Sequence, residues 1–176
     1  TGVQTCALPI SGLPTAFIAE WGKGKPIVGY MGEYDALPEI SQVADITERK
    51  PIVEGGHGHG CGHHVLGTAA MAAAIANKDY LELNQMEGTV RFYGCPAEEG
   101  GGGKVLMNNA GVFDDCAAAI SWHATDDNGV WSINFHAQQR VEYTFRGRKP
   151  KLIKEANDNC ELYDYGANSL DALQLF

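Results

Sequence analysis

The chain has 176 residues, and its 13 Lys and Arg against 22 Asp and Glu give a net charge of −9 at pH 7. Apolar residues make up 44% and charged residues 20%, which is typical of a globular protein and not of a disordered one. The negative charge argues against a nucleic-acid-binding protein, and no apolar run reaches the ~20 residues that a membrane-spanning helix needs.

Both ends of the chain are predicted to be atypical. Residues 1–10 resemble the translation of a sequencing adapter, so we expect a non-native segment and exclude it from the prediction of the fold. At the other end, residues 169–176 predict a helix that the end of the chain interrupts. That interruption indicates a fragment.

The segments that follow the first ten residues alternate between strand and loop patterns. Residues 15–20 and 26–31 are β-rich runs that predict two neighbouring strands joined by a glycine-containing link. Residues 32–40 predict a loop that leaves the second strand. Residues 55–64 predict a loop rich in glycine and histidine.

The middle of the chain adds helices to this pattern. Residues 65–77 are rich in alanine and apolar on nearly every side, which predicts a buried helix. Residues 88–93 predict a strand, and residues 98–103 predict a loop. A short helix is expected at residues 104–109, ended by Gly111.

Two further strands are predicted towards the C-terminal end. Residues 117–122 form an apolar run of the buried-strand type, and residues 130–145 predict a long strand or a hairpin. Strands that alternate with apolar helices indicate an α/β protein with a mostly parallel sheet and flanking helices.

Polar side chains cluster after the apolar runs. In α/β sheets the reactive groups gather at the carboxyl ends of strands, so we expect these clusters to meet. The clusters are Glu33 with Asp35, Cys61 with His63, Glu98 with Glu99, and His123.

The Cys61–His63 pair is a candidate metal-binding element. Thiolate and imidazole both suit zinc or a similar divalent ion, and Cys61 lies ahead of a helix start, where the helix dipole favours a thiolate. The alternative is a flexible loop with a packed thiol. His57 and His59 are expected to be loop residues. The chain has five cysteines, an odd number without paired spacing, which favours a reducing compartment and hence a cytoplasmic protein.

The Glu98–Glu99 pair suits metal-assisted hydrolysis. Adjacent residues at a strand end face opposite ways, so one carboxylate can bind metal while the other takes a proton from water. The alternative is a solvated acidic turn.

His123, Asp35 and Glu33 complete the candidate site. His123 alone fits a packed histidine better than a ligand, but together with Cys61, His63 and Glu99 it fits a metal ligand. Asp35 is a candidate catalytic carboxylate that orients a ligating imidazole, and a turn-forming Asp is the equal alternative. The role of Glu33 stays open.

Four segments that carry these residues occur in the order seen in a known family: GEYDALPEISQ, GHGCGHHVLG, YGCPAEEGGGGKVLM and GVFDDCAAAISWH. Together they resemble the aminoacylase and carboxypeptidase type of zinc peptidases. Within that family they are most similar to the amidohydrolase branch of aminobenzoyl-glutamate utilization protein B. The resemblance runs from about Gly12 to Gly147.

The resemblance implies a discontinuous α/β catalytic domain with an inserted α+β lid and dimerisation domain. It implies two divalent ions, Mn²⁺ or Zn²⁺, and Glu98 as the general base. It implies hydrolysis of the amide bond of an N-acyl amino acid, such as p-aminobenzoyl-glutamate, by a metal-activated water, in a homodimer or hetero-oligomer. The implied metal ligands are Cys61, His63, Glu99 and His123.

The chain departs from the family in two places. His64 stands where the branch has Asn and wider relatives have Asp, and residues 148–168 depart from the family pattern as a local frame error would make them. The implied organisation is a non-native segment at 1–10, a partial catalytic domain at 11–140 and the start of the lid at 141–176. The rest of the lid and a further metal-binding histidine are absent, so we expect this chain to be weakly active or inactive.

Two alternative functions remain open. One is a metal-binding or scaffolding domain without catalysis, and the other is a dipeptidase or carboxypeptidase of the same family. Glu98 distinguishes catalysis from binding, because a binding domain needs no base beside its metal ligand.

Overall fold

The computed structural model describes residues 4–7, 10–131, 141–149, 151–156, 160–164, 169 and 173–174. The chain divides into two compact units, Thr1–Asn128 and Gly129–Phe176. All predicted site residues belong to the first unit. The predicted domain boundaries stay predictions, and most of the segments 130–145 and 169–176 lies outside the described residues.

A five-stranded sheet lies in the first unit. Its strands are β1 (Gln4–Ala7), β2 (Phe17–Lys23), β3 (Ile27–Glu33), β4 (Gly88–Cys95) and β5 (Ala118–Ile120). Their order in the sheet is β1-β2-β4-β3-β5. β2 runs antiparallel to β1 and β4, whereas β4, β3 and β5 run parallel, so four of the five strands point the same way. The α/β class with a mostly parallel sheet is therefore confirmed.

β2 and β3 are not neighbours, so that prediction was wrong. β4 lies between them and pairs with both. The short link after β2 passes the start of β4, where Thr89 donates its N–H to Pro26 O and its hydroxyl to Gly24 O. A few extended residues span the ~10 Å of two strand spacings, so a short link does not require a hairpin.

α1 (His63–Leu83) packs on β3 and β4 through one face only. Its buried residues are His63, Leu66, Ala70 and Ala74. Met71 and Ile75 are half-exposed, so the prediction of a helix buried on all sides was wrong for the described structure. The pattern could not show it because alanine is compatible with either environment.

The segment after β4 is more helical than predicted. Residues 98–103 were expected to form a loop, but they contain α2 (Glu98–Gly101) and the start of α3 (Gly103–Asn109). α3 agrees with the predicted helix, and Gly111 has a φ of 74° just beyond it. β5 is exposed instead of buried, because it is an edge strand that pairs only with β3 among the described strands.

The buried core lies beneath the carboxyl ends of the central strands. Tyr93 and Cys95 of β4 are fully buried with Met107 of α3 and Ala16. The Tyr93 hydroxyl donates to Val112 O at 2.9 Å, which ties β4 to the chain after α3. Burial raises the pKa of Cys95 to about 12, as expected of a packed thiol. This core supports the strand ends that carry the polar clusters.

Gly67 allows α1 to approach the end of β3. A Cβ at this position would lie 2.7 Å from Glu33 O. We expect Gly67→Ala to push the helix off the strand and lower the free energy of unfolding by about 1–3 kcal/mol. Urea denaturation measures the change. Gly100→Ala is the matched control because a Cβ there meets no atom within 4 Å; equal stability of the two variants would contradict the prediction.

The second unit contains an antiparallel pair, β6 (Lys151–Ala156) and β7 (Cys160–Asp164). These strands fall within the segment 148–168, whose departure from the family pattern stays a prediction. Among the described residues, no helix combines the length and apolar character needed to cross a bilayer.

Candidate metal centre

The polar clusters meet at the carboxyl ends of the parallel strands. Glu33 ends β3, His123 follows β5, and Glu98 begins α2 just after β4. Cys61 and His63 stand at the start of α1, which packs against β3 and β4. The topology therefore brings together residues that are up to 90 positions apart (123 − 33 = 90) in the sequence.

His63 is the centre of this cluster and is only 1% exposed. Its Nδ1 lies 2.9 Å from the carbonyl oxygen of Asp35 and 3.1 Å from Asp35 Oδ1. A carbonyl oxygen can only accept a hydrogen bond, so Nδ1 carries the proton. When the ring is neutral, Nε2 then carries a lone pair.

That lone pair points into a group of carboxylates. His63 Nε2 is buried and has no hydrogen-bond partner. It lies 3.2 Å from Glu33 Oε2, 3.7 Å from Glu98 Oε2 and 3.8 Å from Glu99 Oε1. A buried acceptor facing three acceptors is unfavourable unless a cation lies between them.

A thiol and a second imidazole lie beside His63. Cys61 Sγ is 3.2 Å from His123 Nε2, and His123 Nδ1 donates to Ala124 O at 3.0 Å. The ligand atoms of Cys61, His63 and His123 all lie within 4.8 Å of one another. The same holds for a second set, formed by Glu33, His63 and Glu98.

The Cys61 thiol is not activated by the start of α1, so the expectation of a favoured thiolate was wrong for the protein without a cation. Burial raises the pKa of Cys61, and a hydrogen bond to Glu99 with the charges of Glu99, Glu98 and Glu33 raises it further. Burial and these carboxylates together favour the protonated thiol over the thiolate. A divalent cation would reverse the balance, since it attracts a thiolate.

Asp35 contacts two parts of the site. Burial raises the pKa of its carboxyl, but the backbone N–H groups of Glu99 and Glu98 outweigh this effect and hold the pKa below its ordinary value. Oδ2 accepts the Glu99 N–H at 2.9 Å, while Oδ1 contacts His63. Asp35 is thus ionised and joins the imidazole to the start of α2.

The side chains of Glu98 and Glu99 do not face opposite ways, so the prediction that treated them as residues at a strand end was wrong. They occupy the first turn of α2 after Ala97, whose φ is 59°, and both carboxylates reach His63 Nε2. Glu98 belongs to the second ligand set and Glu99 to neither. Which of the two binds metal and which acts as a base stays a prediction.

Glu33 has a partner that the sequence did not reveal. Its Oε1 accepts from Lys104 Nζ at 2.5 Å, and Lys104 comes from α3. The spacing of Glu33 and Asp35 at i and i+2 is a signal that both point to one side of β3. Nothing local in the sequence linked Lys104 to Glu33, since the two residues are 71 positions apart.

The remaining histidines of the loop before α1 lie outside the two ligand sets of the described residues. His57 is exposed, and the ring of His59 makes a tilted contact with that of His64 in α1, with the centroids 4.9 Å apart. His57 and His59 agree with their prediction as loop residues.

The donor set fits a divalent metal. It combines a buried imidazole nitrogen, a thiol, a second imidazole and three carboxylates; among the described ion pairs, Glu33 alone of these carboxylates is paired with a lysine or arginine. Nitrogen, sulfur and oxygen donors in this mixture suit Zn²⁺ and Mn²⁺.

The chain is similar to known proteins over most of its length. The sequence pattern described as "Peptidase family M20/M25/M40" matches residues 29–170. The chain is 45% identical over 168 residues to one of the subunits of the p-aminobenzoyl-glutamate hydrolase of Escherichia coli, covering 92% of this chain and 35% of that protein. It is 32% identical to the mouse Xaa-Arg dipeptidase, covering 95% of this chain and again 35% of the relative. The chain thus spans about a third of the length of these relatives.

A solved structure has the same architecture. The Bacillus subtilis YXEP protein, described as a dinuclear metal-binding peptidase of the M20 family, superposes with a TM-score of 0.55 and 26% identity. The match covers 71% of this chain and 33% of the Bacillus protein.

Proposed function

Because the chain belongs to peptidase family M20/M25/M40, we propose that it supplies part of the active site of a metal-dependent amidohydrolase. The reaction is hydrolysis of the amide bond of an N-acyl amino acid. The observation that carries the proposal is the buried Nε2 of His63, which has no hydrogen-bond partner and faces three carboxylates.

Two divalent ions, Mn²⁺ or Zn²⁺, are proposed to bind at this cluster. The residues that hold them are Cys61, His63, Glu99 and His123. Asp35 keeps the proton of His63 on Nδ1 and so leaves Nε2 free to bind metal. When bound, the ions acidify a water molecule and stabilise negative charge on the substrate oxygen.

Glu98 is proposed to move the proton. Its side chain is 42% exposed, so water reaches it, while its Oε2 stays 3.7 Å from His63 Nε2. The carboxylate accepts a proton from the attacking water and then donates it to the nitrogen of the leaving amine. The same group serves as base and then as acid, because the proton that it takes from the water is the one that it gives to the amine.

The substrate is proposed to be a small N-acyl amino acid similar to p-aminobenzoyl-glutamate. The Escherichia coli relative is named for hydrolysis of that compound and as one subunit of the hydrolase, which supports assembly as a hetero-oligomer; a homodimer is the other proposed assembly. A cytoplasmic location is proposed from the odd number of cysteines. Neither nucleic acid nor a membrane is a proposed partner. The match to the mouse Xaa-Arg dipeptidase makes a dipeptidase the second candidate.

A substrate and metal panel tests the proposal. A full-length protein that contains this chain is expected to hydrolyse p-aminobenzoyl-glutamate faster than a dipeptide ending in Arg. Chelation should abolish turnover, and Mn²⁺ or Zn²⁺ should restore it. Faster cleavage of the dipeptide would establish the second candidate, and activity indifferent to chelators would refute the metal-dependent mechanism.

A further inference from the structure

We propose that Lys104 is a positioning residue that neutralises Glu33 and thereby directs the ion bound by His63 towards Cys61 and His123. This inference rests on the metal centre of the proposed function. It assigns a role to an ion pair that lies beside the candidate ligands and that the proposed reaction does not use.

The two candidate ligand sets share a single nitrogen atom. Both the set with Cys61 and His123 and the set with Glu33 and Glu98 require His63. Nδ1 of that ring is bonded to Asp35, so Nε2 is the nitrogen available to both sets. One lone pair binds one ion, and the two sets therefore compete for the same imidazole.

Lys104 forms a close ion pair with Glu33. Its ammonium lies 2.5 Å from Glu33 Oε1, and the Glu33 side chain is only 9% exposed. Opposite charges at this distance in a poorly solvated site attract each other strongly, and a second cation beside Glu33 would be repelled by the ammonium. Lys104 thus neutralises the Glu33 carboxylate. A metal ion bound by Glu33, His63 and Glu98 would need that carboxylate as a ligand.

The two sides differ in chemistry as well as in charge. The set with Cys61 and His123 offers sulfur and nitrogen, which suit Zn²⁺. The set with Glu33 and Glu98 offers carboxylate oxygens, which suit Mn²⁺ better than thiolate does. If Lys104 determines which of the two ligand sets holds the ion, its removal should change the preference of the chain for Zn²⁺ or Mn²⁺. A purely structural ion pair would leave that preference unchanged.

The test compares Zn²⁺ and Mn²⁺ affinities of the 176-residue chain by competition titration. In Lys104→Met, we expect Mn²⁺ to bind about tenfold more tightly or better, which is the scale of effects from groups adjacent to ligands. The Zn²⁺ affinity should change much less, because Cys61 and His123 are unaffected. Lys104→Arg keeps the positive charge and should keep the wild-type ratio of the two affinities.

Two further variants decide the interpretation. Glu33→Gln/Lys104→Met removes both charges of the ion pair, so it should fold even if Lys104→Met does not, and it should keep the wild-type ratio of the two affinities. A raised Mn²⁺ affinity in this double variant would show that Glu33 is not the intermediary. Lys78→Met is the matched control, because Lys78 pairs with Asp79 and Glu82 about four turns along α1 from His63.

The outcomes separate this inference from the function on which it rests. If Lys104→Met raised the Zn²⁺ and Mn²⁺ affinities equally, or lowered both, the directing role of Lys104 would be overturned. The proposed metal centre would remain intact. A wild-type chain that binds neither metal would refute the metal centre and the inference together.

Discussion

Replacing Glu98 with Gln in a full-length protein that contains this chain is expected to lower kcat about 10²–10⁴-fold, the usual contribution of a general base. Gln has nearly the same shape as Glu but cannot accept the proton of the attacking water. The metal content should stay at the wild-type level, because Cys61, His63, Glu99 and His123 remain. Steady-state kinetics and elemental analysis of the same sample measure both quantities.

The matched control for this variant is Glu54→Gln. Glu54 forms an exposed ion pair with Arg49, so its loss should leave both turnover and metal content unchanged. Turnover that survives Glu98→Gln would show that the base is another residue. If Glu98→Gln lost its metal as well as its turnover, Glu98 would be identified as a metal ligand. Glu98 belongs to the ligand set with Glu33 and His63, so the geometry allows this role.

Replacing His63 with Gln is expected to cause the largest loss of metal affinity of any single substitution in the cluster. Its Nε2 belongs to both candidate ligand sets, so no other arrangement of the described groups replaces it. The loss should exceed the effect of about 10–100-fold that follows removal of a residue supporting a ligand. Titration of the 176-residue chain with Zn²⁺ measures the affinity.

Gln is chosen at position 63 because it fills most of the buried volume of the imidazole and can still donate to Asp35. Circular dichroism should therefore show a folded chain, which separates loss of a ligand from loss of structure. His57→Gln is the control, since His57 is exposed and lies in neither ligand set. Wild-type Zn²⁺ affinity in His63→Gln would contradict a metal centre organised around this residue.

Local patterns in the sequence were sufficient to predict the α/β class and most element positions. The helix at residues 104–109 corresponds to α3, and the strand at residues 88–93 corresponds to β4. These predictions succeed because a helix or strand is specified by residues only a few positions apart, through the spacing of apolar side chains and the positions of glycines. The motifs of the four ordered segments likewise predicted the family, which the comparisons show.

The sequence alone could not determine which strands pair or which side chains meet. β4 separates β2 from β3, and Glu33 pairs with Lys104 from a helix that follows 71 residues later. Strand pairing and ion pairs between distant segments form only when the whole sheet assembles, and no local sequence pattern encodes them. For the same physical reason the Cys61 thiol, which lies ahead of a helix start, has a raised pKa: burial and the carboxylates that folding brings close both favour the protonated thiol.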